Sequence, residues 1–312
     1  MKSISVPVGA DVSEGKIDVS IDGGRPTAFD NDRKGVRALV RRLPRRAAVY
    51  MECTGAYGRL LRRELLEAGV EVAQLDPLKV RRLAQARGVQ GKTDALDARL
   101  LAWAGPLLRP VRSKSPGHEG LADLSRHIQG RKAQCADDKR RRGQPGLCPC
   151  VRRSLDRGIR ALEKEIARLE REFLGLVRES ELARRHALLL TVPGVGPALA
   201  RTLVCELPED VGGLGPGQIA SYAGLAPMDR QSGNSRKPSR IRKGNVRLKA
   251  ALYMPAMCCV RSQEWARDLY RRLKGSGKTH EQAMVAVMRR LLVRAFAVIR
   301  HERPWQNCQP GA

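Results

Sequence analysis

Four acidic residues have the side-chain type and the spacing that could hold a metal ion. Asp11 and Glu52 each end an apolar stretch that predicts a β-strand, and Asp94 and Asp97 lie three residues apart in KTDALDAR. A three-residue step puts both of these carboxylates on one helix face. Carboxylate oxygens suit Mg²⁺, and two such ions could stabilise an in-line phosphoryl displacement. A plainer interpretation stays open, because acidic residues at strand ends and helix starts often face solvent or cap the helix.

A serine in a basic segment is the candidate nucleophile. Ser232 stands in Gln-Ser-Gly, and the stretch from Asp229 to Lys249 holds eight Lys or Arg and one acidic residue. A serine hydroxyl needs activation, and arginines around a scissile phosphate could stabilise the developing charge. The other interpretation is a solvated basic loop that only grips phosphates. The candidate phosphate-binding side chains are Arg236, Lys237, Arg240, Arg242, Lys243 and Arg247.

A glycine-containing turn, PGVG at 193–196, lies between two stretches with helical patterns. This arrangement is typical of a helix-hairpin-helix motif. Glycines permit close backbone approach, and N–H groups at the start of the next helix can bind a DNA phosphate. Gly194 and Gly196 are therefore candidate nucleic-acid contacts. The alternative is a plain helix–helix turn in which glycine ends the first helix.

The charge balance indicates a polyanionic partner. The chain has 312 residues, with 59 Lys and Arg against 32 Asp and Glu, a formal net charge of +27 and a pI near 10.7. Nucleic acid is the first expectation. A membrane is excluded because the longest apolar run, from Ala250 to Val260, falls well short of the ~20 residues that a span needs. No apolar leader opens the sequence, so we expect a cytoplasmic protein, nucleoid-associated when bound to DNA, with reduced thiols.

Three parts follow one another along the chain. Residues 1–105 alternate strand and helix patterns, which predicts an α/β domain around a sheet. Residues 106–150 are rich in Gly, Pro and basic runs, and we interpret them as a linker or irregular insertion. Residues 186–312 are predicted to be mainly helical, with a polar basic loop from Asp229 to Asn245. The predicted strands are 5–11, 16–21, 47–51 and 70–75, and the predicted helices are 32–43, 56–68, 77–86 and 94–104.

An apolar seam with alternating steps of four and three residues precedes the third part. This a/d pattern predicts a coiled-coil helix, so that 106–185 forms a linker and a coiled coil. Such a narrow seam needs a partner helix. Two partners remain open: residues 119–140 in an intramolecular hairpin, or a second copy of the chain. The seam consists of Leu155, Ile159, Leu162, Ile166, Leu169, Phe173 and Leu176.

Three groups of motifs in this order resemble one protein family. The first is VGADVSEGKIDVSI, and the second is YMECTGAYGRLL followed by LDPLKVRRLAQARGVQGKTDALDARLLA. The third is PGVGPALARTLVCEL leading into IASYAGLAPMDRQSGNSRKPSRIRKGNVRLKAALYMPA. Together they resemble the DEDD insertion-sequence transposases of the IS110 family, also called bridge-RNA-guided recombinases, over most of residues 5–105 and 186–300.

The resemblance implies a RuvC-like domain of the RNase H fold at 1–105 and a mainly helical transposase domain at 186–312. In the second domain it makes Ser232 the nucleophile that links covalently to a DNA phosphate. It further implies that domains of different protomers build each active site in a tetramer, and that an element-encoded RNA pairs with donor and target DNA. The implied Mg²⁺- or Mn²⁺-binding tetrad is Asp11, Glu52, Asp94 and Asp97.

We therefore predict a DNA transposase or site-specific recombinase that cuts and rejoins strands through a serine–phosphate intermediate. Its expected partners are donor and target DNA, a guide RNA and further copies of the chain, in a dimer or tetramer. One alternative is a metal-dependent nuclease of the Holliday-junction type, in which water attacks and Ser232 only binds. The other is a non-catalytic nucleic-acid-binding protein derived from a transposase.

Overall fold

The computed structural model describes most of the chain. It covers residues 5–52, 57–88, 94–108, 110, 115–209, 211, 213–232, 235–241 and 244–306, with only the backbone for 94–95, 116, 228–232 and 235–240. The chain divides into two compact units, Met1–Ser113 and Lys114–Ala312. The predicted division had three parts, with a first boundary at 105.

The first unit is a five-stranded mixed sheet covered by helices. The strand order is β3-β2-β1-β4-β5, with β1–β2 and β2–β3 antiparallel and β1–β4 and β4–β5 parallel. The strands are β1 Val6–Val12, β2 Lys16–Ile21, β3 Thr27–Asp30, β4 Ala47–Glu52 and β5 Glu71–Leu75. The helices are α1 Arg33–Arg42, α2 Gly58–Glu67, α3 Pro77–Ala86 and α4 Asp94–Ala104, and a 3-10 turn follows at Gly105–Leu107. This architecture confirms the α/β prediction for the unit.

Both faces of the central strand β1 are covered. Val8 and Ala10 are fully buried in a core shared with Leu39 of α1 and Leu61 of α2. Alternate residues of a strand point to opposite faces, so Gly9 faces the other way, against α4. Near-continuous burial is typical of a strand between two helical layers.

The second unit is mainly helical and contains a two-stranded sheet. Its first helices, α5 Pro116–Arg142 and α6 Pro149–Arg178, form a hairpin. The elements that follow are α7 Ala183–Leu190, α8 Pro197–Glu206, α9 Pro216–Tyr222, β6 Pro227–Ser232, β7 Ser235–Ile241, α10 Val246–Ser262, α11 Glu264–Gly275 and α12 His280–Arg300. Ten residues of α12 are buried, which makes it the central helix of this unit's core. None of the described helices is long and apolar enough to cross a membrane.

The interpretation of residues 106–150 as a linker or irregular insertion is wrong for 116–142, which form α5. Ser115 caps this helix, because its hydroxyl accepts the N–H of His118 at 3.3 Å, and Pro116 occupies the first turn. Burial of Leu121 and Ile128 in the core of the second unit outweighs the low helix propensity of the glycines in α5. Residues 143–148, which include two glycines and a proline, form the turn between α5 and α6.

The helix α5 is the partner of the predicted seam. Ion pairs Lys132–Glu170, Lys139–Glu163 and Arg142–Asp156 run in opposite order along the two helices, so the hairpin is antiparallel. The intramolecular alternative is therefore correct for the seam. The seam was predicted to end at Leu176, but this residue is 47% exposed and its neighbour Val177 is buried instead. The buried positions shift by one residue there because the helical repeat does not match a heptad pattern exactly.

The segment predicted as a polar basic loop contains a β-hairpin instead. Strands β6 and β7 pair antiparallel, with Gln231 opposite Arg236 and a register irregularity between Met228 and Arg230. Strand β3 was also missed. It is a four-residue edge strand in which only Phe29 is partly buried, so no apolar alternation marks it.

Candidate active site

The first two acidic candidates lie at the same edge of the sheet. Strands β1 and β4 are parallel neighbours, and their register pairs Ala10 with Met51. Asp11 and Glu52 each follow the paired residue of their own strand, at the carboxyl ends of the two strands. Both side chains are half-buried. The sheet therefore brings the backbones of these two residues side by side, as the sequence predicted from the strand ends.

Helix α4 lies directly on β1 because Gly9 has no side chain. A Cβ at Gly9 would lie 1.9 Å from the carbonyl oxygen of Ala98 and 2.4 Å from the backbone nitrogen of Ala102. Asp11 lies two residues after Gly9 on β1, and Asp97 immediately precedes Ala98 on α4. The close approach thus fixes the half-buried Asp97 near the strand that carries Asp11.

Arg99, two residues after Asp97, ties α4 to the sheet at a second point. Its Nε donates to the carbonyl oxygen of Gly23 at 3.1 Å, in the turn after β2. This turn lies at the amino end of β1, since the N–H of Asp22 donates to the carbonyl oxygen of Pro7 at 2.8 Å. The helix that carries Asp97 is therefore held to the sheet by a backbone contact at Gly9 and by this hydrogen bond.

The four acids are not grouped by the described side chains alone. Among the side chains that the structure describes, no three His, Cys, Asp or Glu residues could together hold a metal ion. Asp94 begins α4, and its side chain lies outside the described part. Convergence of the tetrad thus stays a prediction.

A further carboxylate that the sequence reading missed lies beside Asp11. Asp18 of β2 is directly opposite Asp11 in the antiparallel register and is 9% exposed. The Nζ of Lys16 lies 3.0 Å from its carboxylate. Cross-strand partners lie on the same sheet face. The only sequence signal for Asp18 is an acidic residue within the apolar strand β2.

The candidate nucleophile ends the first strand of the β6–β7 hairpin. Ser232 pairs with Ser235, and residues 233 and 234 between them lie outside the described part. Of the predicted phosphate-binding residues, Arg236, Lys237 and Arg240 lie on β7 with only their backbone described, and Arg242 and Lys243 lie outside the described residues.

The base of this hairpin is held by a close contact between Gly224 and Gly244 and by hydrogen bonds of Asn245, which we call the Glu206–Asn245 latch. Gly244 has φ +95°, and a Cβ there would lie 2.2 Å from the backbone nitrogen of Gly224. Asn245 donates its backbone N–H to the carbonyl oxygen of Tyr222 and its Nδ2 to Oε2 of Glu206, both at 2.8 Å. Its Oδ1 also caps α10, accepting the N–H groups of Arg247 and Leu248.

Glu206 is a buried acid that the sequence analysis did not single out. It is 5% exposed, and its carboxylate lies 3.6 Å from Nε of Arg126 and 3.9 Å from Nη1 of Arg247. The side chain of Arg247 is 55% exposed. This predicted DNA contact therefore also helps to hold the hairpin base. A lone Glu at the end of an apolar helix is the only sequence signal for this role.

The PGVG turn joins α7 to α8 as predicted. Gly194 has φ +95°, and a Cβ there would lie 2.3 Å from Sγ of Cys259 and 3.3 Å from Cδ1 of Leu291. Gly196 is the N-cap of α8 and has open space around it. The turn forms one wall of a groove of about 1210 Å³ between α5 and α10. Gly194 is thus required for packing, whereas Gly196 presents an accessible helix start.

Each of the two units matches a transposase family model. Residues 8–144 match a family described as the DEDD transposase of IS110, and residues 186–271 match the family described as Transposase IS116/IS110/IS902. The first match contains all four acids of the predicted tetrad, and the second contains Ser232. The DEDD domain indicates dependence on a divalent metal in general.

Relatives cover most of the chain. It is 33% identical over 266 residues to the pilin gene-inverting protein of Moraxella lacunata, covering 82% of this chain and 81% of that protein. The corresponding protein of Moraxella bovis is 32% identical over the same length. An insertion element IS116 protein of 44.8 kDa from Streptomyces clavuligerus is 28% identical, covering 67% of this chain and 56% of that protein. The chain belongs to the IS116/IS110/IS902 family of transposases, enzymes that cut and rejoin DNA.

Proposed function

We propose that the protein is the transposase of an insertion sequence and recombines DNA through a covalent serine–phosphate intermediate. The observation that carries the proposal is the pair of family matches, one over the acids of the sheet and one over the Ser232 hairpin. The first unit would be a RuvC-like domain of the RNase H fold, and the PGVG turn a helix-hairpin-helix element. The mixed sheet with acids at parallel strand ends supports the first assignment.

The acidic residues are the proposed metal site. Asp11, Glu52, Asp94 and Asp97 offer only carboxylate oxygens, the donor set that suits Mg²⁺ or Mn²⁺. The adjacent strand ends and the close packing of α4 on Gly9 support their convergence. When bound, such an ion offsets the charge of the scissile phosphate.

Ser232 would carry the covalent step. The hydroxyl loses its proton as Oγ attacks the phosphorus, the bond from phosphorus to the sugar oxygen breaks, and the departing sugar oxygen takes up a proton. The bond energy of the phosphodiester is kept in the serine–phosphate link, so rejoining needs no external energy source. Basic residues of the hairpin would grip the backbone and stabilise the developing charge. Their density around Ser232 supports this role.

The proposed assembly contains more than one chain and two kinds of nucleic acid. Donor and target DNA are its substrates, and we propose a guide RNA that pairs with both. The net charge of +27 supports polyanionic partners and does not discriminate RNA from DNA. A dimer or tetramer would let the acids of one protomer act with Ser232 of another. Because DNA is the substrate, we place its action in the cytoplasm, at the nucleoid.

The decisive test compares Ser232→Ala with Ser235→Ala in reactions stopped with denaturant. Ser235 is the cross-strand partner of Ser232 in the same basic hairpin and is a matched control. We expect a protein-linked DNA end with the wild type and the control, and none with Ser232→Ala. Cleavage that persists in Ser232→Ala would instead indicate a metal-dependent nuclease.

The acids are tested separately from the serine. Asp11→Asn is expected to lower strand cleavage by at least ~100-fold, because it removes one oxygen-ligand charge from the metal site. Unchanged cleavage by Asp11→Asn would contradict the proposed metal site, and a wild-type protein that binds DNA without cleaving it would support the non-catalytic derivative.

The guide RNA is tested by purification. RNA that co-purifies with the wild-type protein should map next to the gene, and the absence of such RNA would contradict the proposed guide RNA.

A further inference from the structure

Two cysteines meet at the tip of the α5–α6 hairpin. Cys148 is the N-cap residue of α6, and Cys150 is the second residue of that helix, with Pro149 between them. Their sulfur atoms are 2.9 Å apart, and both side chains are exposed. Closing this gap to a disulfide of about 2.05 Å needs a movement of less than about 1 Å. The pair is therefore arranged for intramolecular bonding.

The surroundings of the pair favour a reactive thiolate. Cys148 stands at the start of a 30-residue helix, where backbone N–H groups are unpaired and the helix dipole is positive. Hydrogen bonds from the thiol of Cys150 and from the backbone N–H groups of Cys150 and Val151 lower the pKa of Cys148. Cysteines at helix starts near basic groups are the reactive ones in proteins.

The tip is also basic. The last turn of α5 carries four consecutive cations, and Arg152 and Arg153 follow in the first turns of α6. Each of the four cations pairs with an acidic residue: Lys139 with Glu163, Arg140 with Asp137, Arg141 with Asp138 and Arg142 with Asp156. Residues 137–156 still contain six Lys or Arg against three Asp, and this net positive charge attracts anionic reagents and favours the thiolate form.

We propose that Cys148 and Cys150 form a reactive dithiol site that low-molecular-weight disulfides oxidise to an intramolecular disulfide. The thiolate of Cys148 attacks glutathione disulfide and forms a mixed disulfide as one glutathione thiolate leaves. Cys150 then loses its proton and attacks the Cys148 sulfur, which releases the second glutathione. Two cysteine thiols are oxidised and one glutathione disulfide is reduced to two thiols, so atoms and electrons balance.

A metal site at the tip is the weaker interpretation. Structural zinc takes four protein ligands. Among the side chains that the structure describes, no three His, Cys, Asp or Glu residues could together hold a metal ion. The dithiol site does not depend on the proposed function, because it uses neither the acids nor Ser232.

The test is oxidation of the full-length native protein by glutathione disulfide at pH 7, followed by alkylation, trypsin digestion and mass spectrometry. The tryptic peptide 143–152 contains both tip cysteines. We expect it to lose two hydrogens at a rate at least ~10-fold above any change in peptide 250–261. That peptide is an internal control, because it also holds two cysteines, the exposed Cys258 and the buried Cys259. Equal rates for the two peptides would overturn the proposal.

Two variants identify the attacking thiol. Cys150→Ser keeps Cys148 and is expected to accumulate its mixed disulfide with glutathione. Cys148→Ser keeps the helix cap, since serine is a good N-cap residue, and is expected to react at least ~10-fold more slowly. Equal reaction of the two variants, or disulfide-linked dimers of the wild type on non-reducing gels in place of the internal bond, would refute this assignment.

Discussion

The acidic candidates of the first unit and Ser232 of the second unit are held in different ways. The acids lie on a sheet whose central strand is buried on both faces, and α4 is pressed against Gly9 along that strand. Ser232 lies near the far end of a two-stranded hairpin, whose base is held by the Gly224–Gly244 contact and the Glu206–Asn245 latch. An isolated two-stranded hairpin is marginally stable on its own. The acids therefore depend on core packing, whereas the serine depends on a few contacts at one end.

The largest effect is expected for Gly9→Ala. The added Cβ would overlap Ala98 and Ala102, so α4 must move away from β1 at a cost of about 3 kcal/mol. Hydrogen exchange with mass spectrometry should show loss of protection in α4 and β1 while the second unit stays protected. Gly15→Ala is the control, because a Cβ there meets nothing within 4 Å. If Gly9→Ala lowered the free energy of unfolding by less than about 1 kcal/mol, the acids would not depend on core packing more than Ser232 does.

Gly244→Ala tests the hairpin side. The φ of +95° and the contact with Gly224 predict a cost of about 2 kcal/mol, concentrated at the hairpin base. DNA strand cleavage should fall by at least ~10-fold at a temperature where circular dichroism shows that the protein remains folded. Gly217→Ala in α9, with no atom within 4 Å of the added Cβ, should leave cleavage unchanged. Normal cleavage by Gly244→Ala would show that this contact does not position Ser232.

Glu206→Gln tests how much the charge of Glu206 contributes to holding the hairpin base. The amide can still accept the hydrogen bond of Asn245, but the charge that attracts Arg126 and Arg247 is lost. We expect a destabilisation of about 1 kcal/mol, since both arginines are partly exposed, measured by thermal unfolding. Glu302→Gln removes a fully surface pair with Arg184 and should change stability by less than about 0.5 kcal/mol. Equal effects of the two variants would refute a special role for Glu206.

The smallest effect is expected for Glu170→Gln, which probes the helical side of the second unit. Burial acts to raise the pKa of Glu170, but hydrogen bonds from Lys132 at 2.7 Å and Arg201 at 2.8 Å outweigh it, and the net pKa is lowered. A lowered folded-state pKa adds stability above the unfolded pKa of about 4.3, which is lost as the pH falls through the folded value.

Urea unfolding at several pH values measures this contribution. The difference between wild type and Glu170→Gln should be below about 1 kcal/mol at pH 7, because the carboxylate is partly exposed, and should vanish once the pH falls below the lowered folded-state pKa. Glu163→Gln, which loses the more exposed pair with Lys139, is the control. A difference that grows as the pH falls would contradict the sign of the pKa change.

The sequence predicts an element well where local chemistry marks its ends. The ranges 16–21, 77–86 and 94–104 agree with β2, α3 and α4, because turn and cap residues flank them, such as Asp76 before α3. Helix α5 was predicted only as one of two alternative partners of the seam, at 119–140, because its glycines and basic runs hide a buried stripe that neighbouring helices complete. The strands β6 and β7 were missed because alternating apolar residues do not mark a basic two-stranded hairpin.

The site divides in the same way. Asp11 and Glu52 were predictable, because strand ends can be read from apolar runs and parallel strands share an edge. Asp18 and Glu206 were not predictable, because their importance comes from neighbours that are distant in sequence. Asp18 lies opposite Asp11 in the sheet, and Glu206 accepts a hydrogen bond from Asn245. Gly9 and Gly244 likewise become informative only when the backbone that approaches them is known.

The α5–α6 hairpin acts as an arm with a charged end. Helix α6 joins the main core at Leu169, and about 20 residues separate that point from Pro149, a length of about 30 Å or nine base-pair steps of duplex DNA. Along this arm the helices share a small separate core of Cys135, Ile159 and Leu162. The arm is stiff along its axis but has little apolar material of its own, so its outer half can open locally while the main core stays intact.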